Sequence, residues 1–214
     1  MKSLFEKYRP ASWEQVIGQP KAVSALLRLR ERGGFGGRAY WIAGASGTGK
    51  TTLARLVAAD MAESWHVEEI DAQDCTLDYV RRMEDSFIFR GMGAKTGKVW
   101  IVNESHGLRG AVLSRFLTAL EKLPEYCAIV FTTTKDGQES LFEDFDAPPL
   151  MSRCMAISLT SKGLKEVFAQ RAHDIADAEG LNGKPITFYQ RLAMDTRNNM
   201  RAMLSAIEAG AALE

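Results

Sequence analysis

Cysteine is scarce in this sequence, and what there is of it is badly placed for metal binding or cross-linking. The three cysteines, Cys75, Cys127 and Cys154, are odd in number and never form a Cys-x-x-Cys pair. This excludes a disulfide framework and a zinc module and fits a reducing compartment. Histidine is equally sparse: His66, His106 and His173 are too scattered for a metal site and read as surface or packing residues. No apolar run reaches the roughly 20 residues that span a bilayer. The N-terminus, Met1-Lys2-Ser3-Leu4-Phe5-Glu6, lacks a secretory apolar region. A cytoplasmic protein without a membrane partner is therefore expected. Excess charge of either sign is also missing: 27 basic residues balance 27 acidic ones. Contact with nucleic acid would have to come from a local patch. The four tryptophans have no stacking-platform spacing, and Trp41 and Trp100 lie in apolar runs that read as core. Repeats and low-complexity segments are absent too. One biased stretch, residues 139–146, is acidic and aromatic and reads as a surface loop.

What is present is an ordinary globular composition, 46% hydrophobic and 25% charged over 214 residues. That length suits one large domain, or a large one with a small one. Short apolar runs at 39–43, 66–70, 98–103, 128–132 and 155–158 read as strands. Helical patterns at 50–62, 76–89 and 111–122 separate them, and an amphipathic helix over 19–32 precedes them. Such alternation predicts an α/β fold with a parallel five-stranded sheet covered on both faces. After Leu159 the pattern changes to helices at 161–178, 185–195 and 198–212, with Thr160-Ser161 as the expected cap of the first. The expected domains are an α/β core over 1–158 and a small three-helix domain over 159–214.

The strongest motif is Gly44-Ala45-Ser46-Gly47-Thr48-Gly49-Lys50-Thr51, which satisfies G-x-x-x-x-G-K-[ST] in full. Its glycines allow the backbone N–H groups to form a phosphate cup. Lys50 is placed to reach the β- and γ-phosphates of ATP, and Thr51 to hold Mg²⁺. Gly44, Ser46, Gly47, Thr48, Gly49, Lys50, Thr51 and Thr52 are the candidate nucleotide-binding residues. A chance match in a chain of this length has odds on the order of one in a hundred. The motif also follows a predicted strand and opens a predicted helix. Downstream, Val99-Trp100-Ile101-Val102 runs into Asn103-Glu104. P-loop ATPases place an Asp at the position of Asn103, on the metal side. Asn103 keeps an acceptor oxygen without the charge, so Mg²⁺ is expected to be held less firmly. Glu104 stands where a base orients the attacking water.

Further segments resemble the AAA+ ATPases of sliding-clamp loaders: replication factor C small subunits, the bacterial gamma subunit and the phage ATPase subunits. Glu6-Lys7-Tyr8-Arg9-Pro10 followed by Val16-Ile17-Gly18-Gln19 resembles that family's N-terminal motif. The resemblance implies that Tyr8, Arg9, Pro10, Val16 and Ile17 surround the adenine. Asp71-Ala72-Gln73-Asp74, Asn103-Glu104-Ser105-His106 and the run 117–125 have family counterparts as well. Phe131-Thr132-Thr133-Thr134 falls at sensor 1, which makes Thr134 the candidate, with Thr133 close behind. Ser152-Arg153-Cys154 matches a family motif whose arginine reaches the neighbouring subunit's ATP as a finger. Asn199-Met200-Arg201-Ala202-Met203-Leu204 matches the lid helix carrying the sensor 2 arginine, Arg201. The implied catalytic set is Glu104, Thr134, Arg153 and Arg201, with Thr51 and Asn103 on Mg²⁺. The implied partners are other clamp-loader subunits, a sliding clamp and primer–template DNA.

The sequence departs from the family at Asn103, lacks the gamma subunit's four-cysteine zinc insertion, and ends after the lid without a collar domain. The terminal Leu213-Glu214 reads as a vector-derived scar on a truncated chain. Two other readings stay open. One is a nucleotide-gated structural subunit that hydrolyses little, favoured by Asn103. The other is an AAA+ enzyme of another pathway, such as branch migration or helicase loading. The basic stretch 90–98, with Arg81 and Arg82, is open between a solvated loop and a phosphate-contacting patch.

Overall fold

The computed structural model describes residues 2–134 and 148–213; the acidic stretch 139–146 lies outside them. In chain order the elements are α1 (Leu4–Lys7), α2 (Pro20–Glu31), β1 (Arg38–Ala43), α3 (Lys50–Met61), β2 (Val67–Asp71), α4 (Leu77–Asp85), β3 (Lys98–Asn103) and α5 (Gly110–Glu121). They continue with β4 (Cys127–Thr133), α6 (Pro148–Ser152), β5 (Cys154–Ser158), α7 (Lys165–Ala178), α8 (Ile186–Asp195) and α9 (Met200–Glu208). The chain divides into two compact units. Of the described residues, 21–44, 50–134 and 148–158 form one, built on the sheet; 2–20, 45–49 and 159–213 belong to the other, which is helical.

In the sheet unit all five strands are parallel, in the order β2-β3-β4-β1-β5, as the strand–helix alternation predicts. Every residue of β4 is buried. The continuous apolar runs of β1 and β3 are explained the same way, because a central parallel strand has no solvent face. One face of the sheet presents Trp41, Trp100, Val102, Ile129 and Phe131 to Val80, Met83 and Phe87 of the α4 region and to Leu113 and Phe116 of α5. Helix α3 packs against β1, β3 and β4. Strands β2 and β5 lie at the edges and are largely exposed, which accounts for their weak signals in the sequence.

The boundaries shift where local chemistry intervenes. Helix α4 is capped by the Thr76 hydroxyl, which accepts from Tyr79 N at 3.1 Å, and it tightens into a 3₁₀ turn at Ser86–Ile88. Thr160 does not cap α7. Its hydroxyl accepts from Lys162 N at 3.0 Å, and Gly163 at φ +71° separates that turn from a helix starting at Lys165. Arg197 and Asn198 both adopt left-handed backbone, so α9 starts later than its periodicity suggests. Its cap is Asn199, whose side chain accepts from Ala202 N at 3.1 Å.

In the helical unit α7, α8 and α9 pack on one another, and α1 packs on α9. Leu4, Phe168, Ile175, Tyr189, Met203, Leu204 and Ile207 form its core, with Phe5, Tyr8 and Ile17 against the rim. Gly18 is held at φ +74°, where a Cβ would come within 2.4 Å of Leu164 Cδ2. Gln19 is buried. Its amide donates to Thr160 O at 2.8 Å and to Thr48 O at 3.4 Å, and accepts from Thr160 N at 3.0 Å.

Candidate nucleotide-binding site

The carboxyl ends of β1, β3 and β4 lie side by side in the sheet unit. In open parallel sheets this is where ligands bind. The end of β1 passes into Gly44, whose N–H donates to Thr133 O at 3.3 Å. The glycine motif then runs through residues 45–49, which group with the helical unit, and returns to the sheet unit at Lys50 and Thr51 at the start of α3. Lys50 is buried and its Nζ donates to Gly44 O at 2.8 Å. Gly47 and Gly49 have φ of +73° and +107°, conformations that glycine adopts without steric cost. At Gly49 a Cβ would meet open space. Within the helical unit, Thr48 Oγ1 donates to Ala45 O at 2.7 Å. A Cβ on Gly47 would fall 1.9 Å from Asn199 Oδ1, so the loop glycine lies directly against the cap of α9.

At the end of β3, Asn103 Oδ1 accepts from Thr132 Oγ1 at 2.9 Å and from Thr51 Oγ1 at 3.3 Å. Its Nδ2 donates to Glu69 Oε1 at 2.8 Å. Glu69 on β2 is in turn held by Arg55 of α3, at 2.8 Å from Nε and 3.3 Å from Nη2. Glu104 follows in left-handed backbone, φ 49° and ψ 44°, a conformation that costs a non-glycine residue about 1–3 kcal/mol and clusters at functional sites. Thr134 Oγ1 donates to Glu104 Oε2 at 2.5 Å, and His106 Nδ1 lies 3.3 Å from that oxygen. Thr133 Oγ1 is 3.4 Å from His106 Nδ1. The three threonines of β4 and its exit thus address Asn103, His106 and Glu104 in turn.

This donor set fits ATP with Mg²⁺. The groups that converge near Thr51 are a hydroxyl and an amide oxygen, hard ligands of the kind Mg²⁺ takes. Among the described residues no three His, Cys, Asp or Glu gather to hold a metal. Mg²⁺ characteristically uses one or two protein ligands and completes its shell with phosphates and water.

Lys50, Thr51, Asn103, Glu104 and Thr134 are therefore brought together in the sheet unit. Arg153 is not among them. It precedes β5, whose first residue, Cys154, pairs with Ala39 near the start of β1. There it donates to Glu121 Oε1 and Pro149 O, both at 3.1 Å. In the helical unit Arg201 is exposed on the first turn of α9, 5.3 Å from the centre of the Phe5 ring. Tyr8 OH donates to Glu179, which also pairs with Lys7 at 2.6 Å. This contact with Glu179 is the first cause raising the Lys7 and Tyr8 pKa values, and Lys7 is the first cause lowering that of Glu179. Arg9 pairs with Glu6; Pro10, Val16 and Ile17 are half-buried. The basic stretch is engaged by the chain itself: Lys98 Nζ donates to Ser86 O at 2.8 Å, Lys95 donates to Ala59 O, and Arg90 stacks 4.7 Å from the Tyr126 ring centre.

Four participants have no site role in the sequence reading: Glu69, Arg55, Thr132 and His106. Arg55 lies four residues after Thr51 on one helix, a spacing that puts both on one face. The Asp71–Asn103 pairing puts Glu69 on the same face of the sheet as Asn103, one diagonal step away. Nothing in the primary structure announces that register.

The profile of the "ATPase family associated with various cellular activities (AAA)" matches residues 40–161, and the chain belongs to this family. It is 28% identical over 202 residues to the DNA polymerase III subunit tau of Bacillus subtilis, covering 84% of this chain and 34% of that one. It is 24% identical to the replication factor C small subunit of Methanococcus vannielii, covering 97% and 64%. Among solved structures, a RuvB variant from Thermotoga maritima superposes with a TM-score of 0.69 at 23% identity, over 94% of this chain and 65% of that one. This last likeness speaks for the fold alone. The chain spans about a third of the length of several curated relatives it matches, 32%, 34% and 36%. No helix among the described residues is long and apolar enough to cross a membrane.

Proposed function

We propose that this chain is the nucleotide-handling part of a sliding-clamp loader. In this reading ATP binding organises it with sibling subunits around primer–template DNA and opens the clamp, and hydrolysis releases the clamp. The observation that carries the ATPase chemistry is the convergence of Thr51, Asn103 and Thr132 beside Glu104 and Thr134, just past a complete phosphate loop. The assignment to clamp loading is supported by the names of the relatives and by Ser152-Arg153-Cys154 ahead of the last strand. Trp65, Ile88, Phe89 and Met92 are large apolar side chains left exposed, which is compatible with a protein partner.

The amides of 44–51 and Lys50 hold the phosphates, and Thr51 and Asn103 hold Mg²⁺, which when bound neutralises charge developing on the transferred phosphoryl group. Glu104 orients water. Thr134 and His106 both contact its Oε2, which restricts the carboxylate's rotation. Arg201 acts as sensor 2, Arg153 as a finger to a neighbouring subunit, and Tyr8, Arg9, Pro10, Val16 and Ile17 surround the adenine. The test is ATP turnover with and without primed DNA and a clamp, alongside Lys50→Ala. Turnover stimulated by both additions and abolished in the variant is expected. An equally active Lys50→Ala protein would place the site elsewhere.

One observation favours a second reading. Neutral Asn103 supports a subunit that binds ATP, presents Arg153 and hydrolyses little. DNA-stimulated assembly without turnover would establish it.

A further inference from the structure

We propose that Glu69 is a positioning residue for the metal side of the site: it determines which atom of the Asn103 amide faces Thr51. The proposal rests on the nucleotide-site reading above and adds to it a residue outside the sequence motifs. A side-chain amide is nearly symmetric in shape, so its orientation is decided by its partners. Asn103 has three. Two are the hydroxyls of Thr51 and Thr132. A hydroxyl donates or accepts as required, so neither distinguishes the amide oxygen from the nitrogen. The third is the Glu69 carboxylate, 2.8 Å from Nδ2. An ionised carboxylate only accepts, and so it demands the NH₂ group. Of these three partners, Glu69 breaks the tie.

The consequence reaches the metal. With Nδ2 committed to Glu69, Oδ1 is left facing Thr51, where an acceptor serves a cation. The reversed amide would turn a donor toward the cation and the oxygen toward a carboxylate. Arg55 holds Glu69 in place through two contacts, so the orienting group is itself oriented. Groups that act on a metal through its ligand behave this way, and their loss costs metal affinity about 10–100-fold. The Glu69 side chain is 27% exposed, which favours the lower end of that range.

The same geometry changes what a charge at position 103 would do. In Asn103→Asp the donor disappears and two carboxylates face each other across a contact of 2.8 Å. Exchanging the two chemistries, Asn103→Asp with Glu69→Gln, restores a donor opposite an acceptor with the groups traded. Glu69→Gln alone leaves two amides that can reverse together, and the lock is lost.

The experiment titrates Mn²⁺ into protein saturated with a non-hydrolysable ATP analogue and reads free Mn²⁺ by electron paramagnetic resonance. It compares the parent, Glu69→Ala, Glu69→Gln, Asn103→Asp and the swapped pair, and melting curves check that each is folded. Expected are a roughly 10-fold loss of Mn²⁺ affinity in both Glu69 variants, and recovery to the parent value or better in the swapped pair. A role confined to bracing the edge strand would lower the melting temperature, leave Mn²⁺ affinity intact and show no rescue. Parent-like Mn²⁺ binding by Glu69→Ala, or an Asn103→Asp effect equal in both Glu69 backgrounds, overturns the proposal and leaves the nucleotide site standing. Failure of the parent to bind Mn²⁺ with the analogue overturns the site reading and the proposal with it.

Discussion

Removing the Arg153 guanidinium is expected to silence hydrolysis in the neighbouring subunit and leave the chain's own nucleotide affinity unchanged. Residue 154 pairs with Ala39, and Gly44 lies five residues further on, just past the end of β1. At about 3.3 Å per residue the separation along the sheet is about 17 Å, beyond the reach of an arginine side chain. Arg153 thus has no path to its own phosphate loop through the sheet unit. It rests instead on Glu121, in a pair with side chains 41% and 62% exposed. Exposed pairs of this kind contribute at most about 1 kcal/mol, so Glu121→Ala should raise turnover by no more than about 5-fold. An arginine finger in GTPases is worth roughly 10³–10⁵ in rate, so Arg153→Ala should remove nearly all stimulated turnover. The decisive assay mixes Arg153→Ala chains with Glu104→Gln chains and follows phosphate release, with light scattering to confirm assembly. One chain contributes the base and the other the finger. In random head-to-tail assemblies about a quarter of the sites combine both intact groups, so about a quarter of parental activity should return. An assembled mixture that stays inactive refutes the trans assignment.

Gly47→Ala should lower the melting temperature and weaken ATP-analogue binding together, because a methyl group there falls on the Asn199 cap at a positive φ that costs about 1–2 kcal/mol; paired melting and binding curves check this, and an unchanged melting temperature would contradict it. Glu179→Gln should loosen the N-terminal segment in a pH-dependent manner. Glu179 is lowered by its contacts, so its contribution is present above its unfolded pKa and lost as pH falls through the folded value. Lys7 is raised, so its contribution is present below its unfolded pKa and lost as pH rises through the folded one. The variant should therefore differ from the parent across neutral pH and converge with it in acid, read as amide exchange over residues 4–8. Persistent divergence at acid pH would remove the ion pair from the explanation.

The legible parts of this fold were those dictated by local chemistry. A complete phosphate loop needs no tertiary context, because its glycines, lysine and threonine act through one continuous stretch of backbone. The buried strands announced themselves through runs such as Val99-Trp100-Ile101-Val102, since a strand buried on both faces has no polar positions to offer. Glu69 was illegible for the opposite reason. It sits on an exposed edge strand, and its significance depends on the pairing of β2 with β3, which pattern alone does not set. His106 reads from sequence as a surface or packing residue, since the three histidines are too scattered for a metal site; the turn through left-handed Glu104 brings its ring to the Glu104 carboxylate. Asn103 was identified by position, while the question of which of its atoms faces Thr51 required its three partners.

Gln19 joins two backbone segments far apart in sequence. Its side-chain amide meets both the N–H and the C=O of Thr160, as a neighbouring strand would, and shares its donor with the carbonyl of Thr48 inside the glycine loop. Gln19 itself is buried, so displacing either segment strips the amide of a partner, and a buried polar group left unmet costs about 1–3 kcal/mol. The glycine loop and the strand-to-helix connection at Thr160 are thus mechanically geared through one side chain.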